Sequence, residues 1–147
     1  MATEQKRRVV ITGVGAITPL GNSVAELWQG LISGCSGIRR ITQFDASDLP
    51  CQIAGEIPDF VPEKYIEKKE ARRMPRSAQI ALAAVMQAVA DAGLPDKVPE
   101  PERSGVVYGT GIGGVDRVDE GLQVLREQGF GRVNPFALPA AIPNLAA

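Results

Sequence analysis

The sequence contains no histidine among its 147 residues. A catalytic thiol normally needs a neighbouring base or cation such as histidine, so neither cysteine of this chain is expected to act as a nucleophile. Aromatic residues make up only 5% of the sequence, while 16 glycines and 11 prolines favour tight turns and small-residue packing. The formal net charge of -1 gives the chain as a whole no attraction to nucleic acid or to an anionic membrane.

Metal-binding and membrane-spanning patterns are also missing. Cys35 and Cys51 show neither a CxxC arrangement nor a metal-type spacing, so we predict reduced thiols, no metal and no cofactor. The first residues lack the apolar length of a signal peptide or of a membrane span. These features predict a cytoplasmic protein with no membrane span, in which a charge-driven partner must bind a local patch.

Apolar segments with the periods of strands and helices alternate along the chain. Residues 9–11 and 105–108 are apolar runs that predict strands buried on both faces. Shorter strands are expected within residues 38–41 and 52–57. Apolar spacing and capping residues predict helices at residues 22–34, 63–73, 76–92 and 115–128. The alternation is typical of an α/β fold.

The helix predicted at residues 76–92 is apolar on nearly all sides. Such a helix is expected to be buried, and Gly93 is expected to end it in the left-handed conformation. Residues 134–139 are predicted to be irregular. Residues 140–147 could form a helix but contain no charge or glycine that would end it, so the chain is expected to stop inside an element of a larger fold.

A glycine motif follows the second predicted strand. Gly109, Gly111 and Gly114 satisfy the GxGxxG pattern of dinucleotide-binding turns, which hold pyrophosphate at a helix N-terminus. Asp116 and Asp119 place negative charge near that point, and no later strand ends in a ribose-binding acid. A purely structural strand-to-helix turn and a dinucleotide site therefore both stay open, the latter as the weaker alternative.

Basic residues cluster at the end of the second predicted helix and the start of the third, at residues 68, 69, 72, 73 and 76. On a single helix, residues 69, 72, 73 and 76 would share one face. Interspersed glutamates are equally consistent with an ordinary solvated helix, so residue pattern alone does not decide between a binding face and a solvated one.

Five ordered segments carry a resemblance to a known family. They include Arg-Arg-Val-Val-Ile-Thr-Gly-Val-Gly-Ala-Ile-Thr-Pro-Leu-Gly at residues 7–21, the glycine turn at residues 109–114 and Asn-Pro-Phe-Ala-Leu-Pro at residues 134–139. The chain resembles β-ketoacyl-acyl carrier protein synthases, especially the elongating type II enzyme. The resemblance implies a thiolase-like α/β fold with α/β/α/β/α layers. It also implies that residues 1–147 are a partial N-terminal domain, truncated before the catalytic cysteine.

In that family, an acyl group on a cysteine is extended by decarboxylative condensation with malonyl-acyl carrier protein. The cysteine elbow, two histidines and a late lysine that the family uses are missing here, so no catalytic residue is assigned and this chain alone is expected to be inactive. A non-catalytic chain-length-factor or carrier-protein-binding homologue is the alternative.

The resemblance also implies roles for particular residues. Gly111 and Ile112 match the turn beside the acyl pocket, and Phe136 and Ala137 match positions near the pocket end and the dimer interface. A docking surface for acyl carrier protein is expected at Lys69, Arg72, Arg73 and Arg132. The implied partners are acyl carrier protein, malonyl and acyl thioesters and a second copy in a homodimer, with no nucleic acid.

Overall fold

A computed structural model describes residues 8–98, 100–142 and 144. Within these residues the chain forms helices and one short antiparallel pair of strands. In chain order the elements are α1 (Val24–Ile32), β1 (Arg39–Arg40), β2 (Ile53–Ala54), α2 (Lys68–Ala71), α3 (Arg76–Asp91), α4 (Val115–Gln128) and α5 (Ala137–Ala141). Short 3₁₀ turns lie at Pro62–Lys64, Pro101–Arg103 and Phe130–Arg132.

Helix α1 begins with the cap that the sequence predicts. The Ser23 hydroxyl accepts a hydrogen bond from the Glu26 amide at 3.2 Å, and the Glu26 carboxylate accepts one from the Asn22 amide at 2.6 Å. This exchange satisfies two donors at the start of the helix. The predicted helix is therefore confirmed at its first residues.

Helix α3 also follows its prediction, ending at Asp91 with Gly93 at a φ of 62°. Its predicted burial on all sides is wrong, because only Ala78, Gln79 and Ala83 are buried. Valine and methionine side chains on another part of the helix remain exposed. The described residues pack against one side of α3 and leave the opposite side uncovered.

An irregular segment at residues 13–16 lies along α3. The Val14 amide donates to the Asp91 carboxylate at 2.9 Å, and the Ala16 amide donates to the Gln87 side-chain oxygen at 3.1 Å. Gly13 and Gly15 alternate with these residues and meet the α3 backbone so closely that a β-carbon on either would overlap it. Gln87 and Asp91 lie one helical turn apart on α3, and each accepts a hydrogen bond from one of these two amides.

The core is small and lies where this segment meets α3. Ile17, Phe60 and Ala83 are buried together, and the Phe60 and Tyr65 rings stack at a centroid distance of 6.5 Å. Gln87 donates to the Tyr65 hydroxyl at 2.9 Å. The Gln87 side chain therefore connects helix α3 both to the segment at residues 13–16 and to Tyr65, which follows the 3₁₀ turn at Pro62–Lys64.

Neither long strand predicted from the sequence forms among the described residues. Residues 9–11 and 105–108 have no regular secondary structure, and Val9 and Val107 are almost fully exposed. A strand needs a hydrogen-bonded neighbour, and none lies beside either run in the described part of the chain. The predictions of buried strands are therefore wrong for this structure, although the apolar character that produced them is present.

The short strands are confirmed as one antiparallel pair, in which Arg39 lies opposite Ala54 and Arg40 lies opposite Ile53. The Glu56 carboxylate beside the pair accepts from the Thr42 hydroxyl at 2.7 Å. That hydrogen bond is the main cause that lowers the pKa of Glu56.

Two other predictions need correction. The helix expected at residues 63–73 is reduced to a 3₁₀ turn and the four residues of α2, because Tyr65 and Ile66 turn into the core. Residues 137–139 are not irregular but open α5, after the Asn134 side chain accepts from the Phe136 amide at 2.9 Å. Residues 143 and 145–147, where a helix was expected to continue, lie outside the described residues.

Candidate functional site

A cavity of about 110 Å³ lies where the chain after α2 meets α4 and α5. Four arginines line it together with a single acidic residue. The charged residues are Arg72, Arg73, Arg117, Arg132 and Glu120, and Asn134, Phe136, Ala137 and Ala140 complete much of the wall. This cavity brings together three of the predicted docking residues and two of the predicted acyl-pocket residues.

Small residues bring α4 and α5 together behind the cavity. A β-carbon on Gly121 would lie 3.1 Å from that of Ala137. Gly114, which precedes α4, is buried against the carbonyl of Ala140 and leaves no room for a side chain. The close packing fixes Ala137 and its neighbour Phe136 beside the arginines.

Arg73 is held on two sides. Its guanidinium contacts the Glu70 carboxylate at 3.2 Å, and its guanidinium carbon lies 5.2 Å from the centre of the Phe136 ring. The second contact is a cation–π interaction, which favours an arginine stacked over an aromatic face. Phe136 thus helps to place a predicted docking residue as well as lining the cavity.

Arg117 also lines the cavity, and the sequence did not indicate it. It donates to the Met74 carbonyl at 3.2 Å and pairs with Glu120 at 2.9 Å. Arg117 and Glu120 lie three positions apart in α4, a spacing that is typical of an ordinary ion pair on a helix surface. The contact with Met74 spans 43 positions, so no local pattern could have revealed it.

The predicted single basic helix face is wrong. Helix α2 ends at Ala71, and residues 72–75 separate it from α3, which starts at Arg76. Arg76 does not line the cavity and donates to the Ile57 carbonyl at 3.0 Å. Lys69 is exposed but does not line the cavity, whereas Arg72 and Arg73 do.

Gly111 and Ile112 are not brought to this cavity. Ile112 is 71% exposed, and a β-carbon on Gly111 would meet no neighbouring atom within 4 Å. Their predicted role beside an acyl pocket stays a prediction. The strand that a dinucleotide-binding turn requires before its glycines does not form among the described residues, so that alternative loses its structural context.

An apolar cavity of about 210 Å³ lies on the other side of the contact between Gly121 and Ala137. Leu122, Leu125, Phe130 and other apolar side chains line it. Gly121 and Ala137 line both cavities, so a charged site and an apolar one share a wall made of two small residues.

Within the part of the chain that the structure describes, the cysteines and the metal-ligating side chains form no further candidate site. Cys35 and Cys51 are both exposed and free of a disulfide. Within residues 8–98, 100–142 and 144 there is no cluster of metal-ligating side chains. No helix in this part of the chain has the length and apolar character to cross a bilayer.

Comparison with known proteins identifies the family. The family described as "Beta-ketoacyl synthase, N-terminal domain" matches residues 6–147. The chain belongs to the β-ketoacyl synthase family. This result confirms the resemblance seen in the sequence.

Curated β-ketoacyl synthases match over nearly the whole chain. The Synechocystis sp. protein named 3-oxoacyl-(acyl-carrier-protein) synthase 2 is 44% identical over 147 residues, and its counterpart in Coxiella burnetii is 42% identical over 143 residues. The chain spans 35% of the first relative's length and 34% of the second's.

Solved β-ketoacyl synthase structures share the fold. The ishigamide ketosynthase/chain length factor aligns over 97% of this chain and 36% of its own with a TM-score of 0.79 and 32% identity. A β-ketoacyl synthase from Burkholderia phymatum aligns over 97% of this chain and 35% of its own, with a TM-score of 0.76 and 28% identity. The thiolase-like α/β fold class is therefore confirmed, and this chain corresponds to its N-terminal part.

A third structure shows a ketosynthase with a carrier. It is a type II PKS acyl-carrier protein in complex with its ketosynthase bound to the hexaketide. It covers 96% of this chain and 37% of its own, with a TM-score of 0.72 and 26% identity.

Proposed function

We propose that residues 1–147 form part of the N-terminal domain of an elongating 3-oxoacyl-acyl carrier protein synthase, and that the arginine-lined cavity belongs to its carrier-protein docking surface. The observation that carries the proposal is the convergence of Arg72, Arg73 and Arg132 on one cavity in a chain that belongs to the β-ketoacyl synthase family. The names of the curated relatives support the reaction class.

In the full-length protein, a cysteine thiolate takes an acyl group from its carrier thioester. Malonyl-acyl carrier protein then loses carbon dioxide, and the resulting enolate carbon attacks the acyl thioester. The new carbon–carbon bond extends the acyl chain by two carbons and releases the thiolate. Residues outside this chain supply the cysteine and the groups that stabilise the developing charges, because this sequence has no histidine.

The docking role rests on charge and position. Lys69, Arg72 and Arg132 are exposed, and Arg73 is fixed next to them over Phe136. A basic surface of this kind steers an acidic partner and raises its association rate. The ketosynthase solved with its acyl-carrier protein supports the choice of partner, since it shares the fold of this chain.

The acyl chain would lie near Gly111, Ile112, Phe136 and Ala137. Ile112 is a branched apolar residue on a glycine-rich turn, and Ala137 borders the apolar cavity. The full-length enzyme would act in the cytoplasm as a homodimer on acyl and malonyl thioesters.

Charge reversal tests the docking role. In the full-length protein, Lys69→Glu, Arg72→Glu and Arg73→Glu together should slow association with acyl carrier protein and flatten its salt dependence. Turnover of small pantetheine thioesters should stay nearly intact. The matched control reverses three exposed cations away from the cavity, Arg39, Arg40 and Lys64. If both triple variants slow association with acyl carrier protein equally, net charge alone explains the effect, and this result would contradict a local docking surface.

A second candidate is a chain-length factor, which the ishigamide ketosynthase/chain length factor favours through its similarity to this chain. A chain-length factor would dock a carrier protein without being acylated. Mass spectrometry of the full-length protein after incubation with an acyl carrier thioester separates the two: a stable acyl adduct on a cysteine supports the synthase, and its absence supports the chain-length factor.

A further inference from the structure

Two exposed arginines lie between α2 and α3, and the chain is buried close to each of them. Ala71 is only 3% exposed and the Pro75 side chain is fully buried, whereas Arg72 and Arg73 face solvent. Residues 72–75 lie outside both helices. A segment without regular secondary structure deforms more easily than a helix, so contacts with other parts of the chain decide its shape.

Gln79, in the first turn of α3, contacts the chain on both sides of these arginines. Its side-chain amide donates to the Ala71 carbonyl at 2.7 Å and to the Met74 carbonyl at 3.2 Å. The first carbonyl directly precedes Arg72 and the second directly follows Arg73. An amide nitrogen has two hydrogens, which is enough for one bond to each carbonyl. Because Gln79 is buried, breaking these bonds leaves polar groups away from water.

Helix α4 holds the same segment from a second side. Arg117 donates to the Met74 carbonyl at 3.2 Å, and a carbonyl oxygen can accept two such bonds. A β-carbon on Gly114, which precedes α4, would lie 2.8 Å from the Pro75 β-carbon. These contacts fix the end of the segment that leads into α3, whereas Gln79 bonds to both ends of the arginine pair.

We infer that Gln79 is a positioning residue, whose amide fixes the backbone on both sides of Arg72 and Arg73 and so presents the two guanidinium groups together. The hold on the backbone is a property of the chain itself, and its use in carrier-protein docking rests on the proposed function. A partner that binds a loose segment must order it first, which costs affinity and time. A backbone that is already fixed avoids that cost.

Hydrogen exchange in the full-length protein tests the hold on the backbone. Gln79→Met keeps the length of the side chain and removes both donors. The amides of Arg73 and Met74, which donate to the Glu70 and Ala71 carbonyls, report on the turn. We expect both to exchange roughly tenfold faster in Gln79→Met, because the turn opens more often. Unchanged exchange at these amides would overturn the inference.

Gln87→Met is the matched control. Gln87 lies about two turns further along α3 and also donates to a backbone carbonyl, that of Asn22, at 2.8 Å. Its loss should lower stability without loosening the turn at Arg73 and Met74. Equal acceleration at these amides in both variants would show a general loss of stability and would overturn a specific hold by Gln79.

Association with acyl carrier protein, followed by stopped flow, tests the positioning role. Gln79→Met should slow it roughly threefold or more, and Gln87→Met should leave it unchanged. Arg73→Gln should slow association less in the Gln79→Met protein than in the unchanged one, because a displaced guanidinium group contributes less. Equal slowing by Arg73→Gln in both proteins would overturn the positioning role.

A shorter amide provides a second variant if Gln79→Met fails to fold. Gln79→Asn keeps a polar group at the buried position but is one methylene too short to reach both carbonyls, so it should change exchange and association in the same direction. Gln87→Asn is its control. If neither measurement changes in Gln79→Asn, the inference is overturned.

Charge reversal at Lys69, Arg72 and Arg73 separates this inference from the proposed function. If charge reversal slows association with the carrier and Gln79→Met does not, docking stands and the positioning role is overturned. If charge reversal has no effect, the docking function fails and Gln79 has no part in it, even where faster exchange in Gln79→Met shows that its amide holds the turn.

Discussion

The guanidinium carbon of Arg73 lies 5.2 Å from the centre of the Phe136 ring, which joins two residues for which the sequence predicts different roles. Arg73 belongs to the predicted docking surface, and Phe136 belongs to the predicted acyl pocket. The contact makes the two roles physically dependent, because a change at the ring alters how firmly the arginine is held.

A double-mutant cycle tests that dependence in the full-length protein. Phe136→Leu and Arg73→Gln should each slow association with acyl carrier protein, and the coupling between them should be about 0.5–1 kcal/mol, the size of an exposed cation–π pair. Stopped-flow association rates of the four proteins give the coupling. Zero coupling, with a loss in Phe136→Leu that grows with acyl length, would assign Phe136 to the acyl pocket alone.

Gly15 provides a test of how the segment at residues 13–16 packs on α3. A β-carbon there would overlap the Ala84 carbonyl, so Gly15→Ala should destabilise the protein by about 1–3 kcal/mol. Gly105→Ala is the matched control, since a β-carbon at Gly105 meets nothing within 4 Å. Urea unfolding midpoints of the two variants measure the difference. Equal midpoints would show that the segment does not lie against α3.

Gln87 tests the polar side of the same contact. It accepts from the Ala16 amide and donates to the Asn22 carbonyl and the Tyr65 hydroxyl. Gln87→Met leaves these partly buried groups unsatisfied and should cost about 1–3 kcal/mol. Gln123→Met should cost only a few tenths of a kcal/mol, about the value of one exposed helix pair, because the exposed Gln123 side chain donates to Glu127 at 2.9 Å. A comparable loss in both variants of the unfolding experiment would contradict the network.

Local patterns in the sequence predict the helices well where capping residues mark their ends. Helix α4 matches its predicted bounds, and α3 ends next to Gly93 as expected, because apolar spacing and caps are local properties. The runs at residues 9–11 and 105–108 show the limit of such patterns. Their composition favours strands, but a strand also depends on a neighbour that a local pattern cannot supply.

In the candidate site, too, some residues could be predicted from the sequence and others could not. Resemblance to the family indicated Arg72, Arg73 and Arg132, and the structure places all three round one cavity. Arg117 could not be predicted, since its decisive contact is with the Met74 carbonyl, 43 positions away. The expected single basic face failed for a local reason: residues 72–75 separate the two helices, so helical spacing does not run through the segment.

A further test asks whether the isolated 147-residue chain can be acylated. Cys35 and Cys51 are exposed, and the sequence has no histidine to serve as their base. We expect mass spectrometry to find no stable adduct after the 147-residue chain is incubated with an acyl carrier thioester. Alkylation of both cysteines by iodoacetamide is the control that they are accessible. Stoichiometric acylation at either residue would contradict the view that the nucleophile lies outside this chain.

Ile112 allows the predicted acyl pocket to be tested in the full-length protein. If its side chain lines an apolar channel, Ile112→Phe adds bulk where overfilling commonly costs about 1–3 kcal/mol. Short acyl primers should react normally, and long primers should lose rate by roughly 10- to 100-fold when that cost falls on their binding. Condensation rates across a series of primer lengths measure the effect.

Ile53→Phe is the matched control, because Ile53 is also an exposed isoleucine but lies in β2, outside the predicted pocket. It should leave every primer unaffected. In a phosphate-binding turn, backbone amides make the contacts, so a larger side chain at position 112 would not separate substrates by acyl length. A uniform loss across all primers in Ile112→Phe would therefore place Ile112 outside the acyl pocket, whereas a loss that grows with length would assign it to the channel wall.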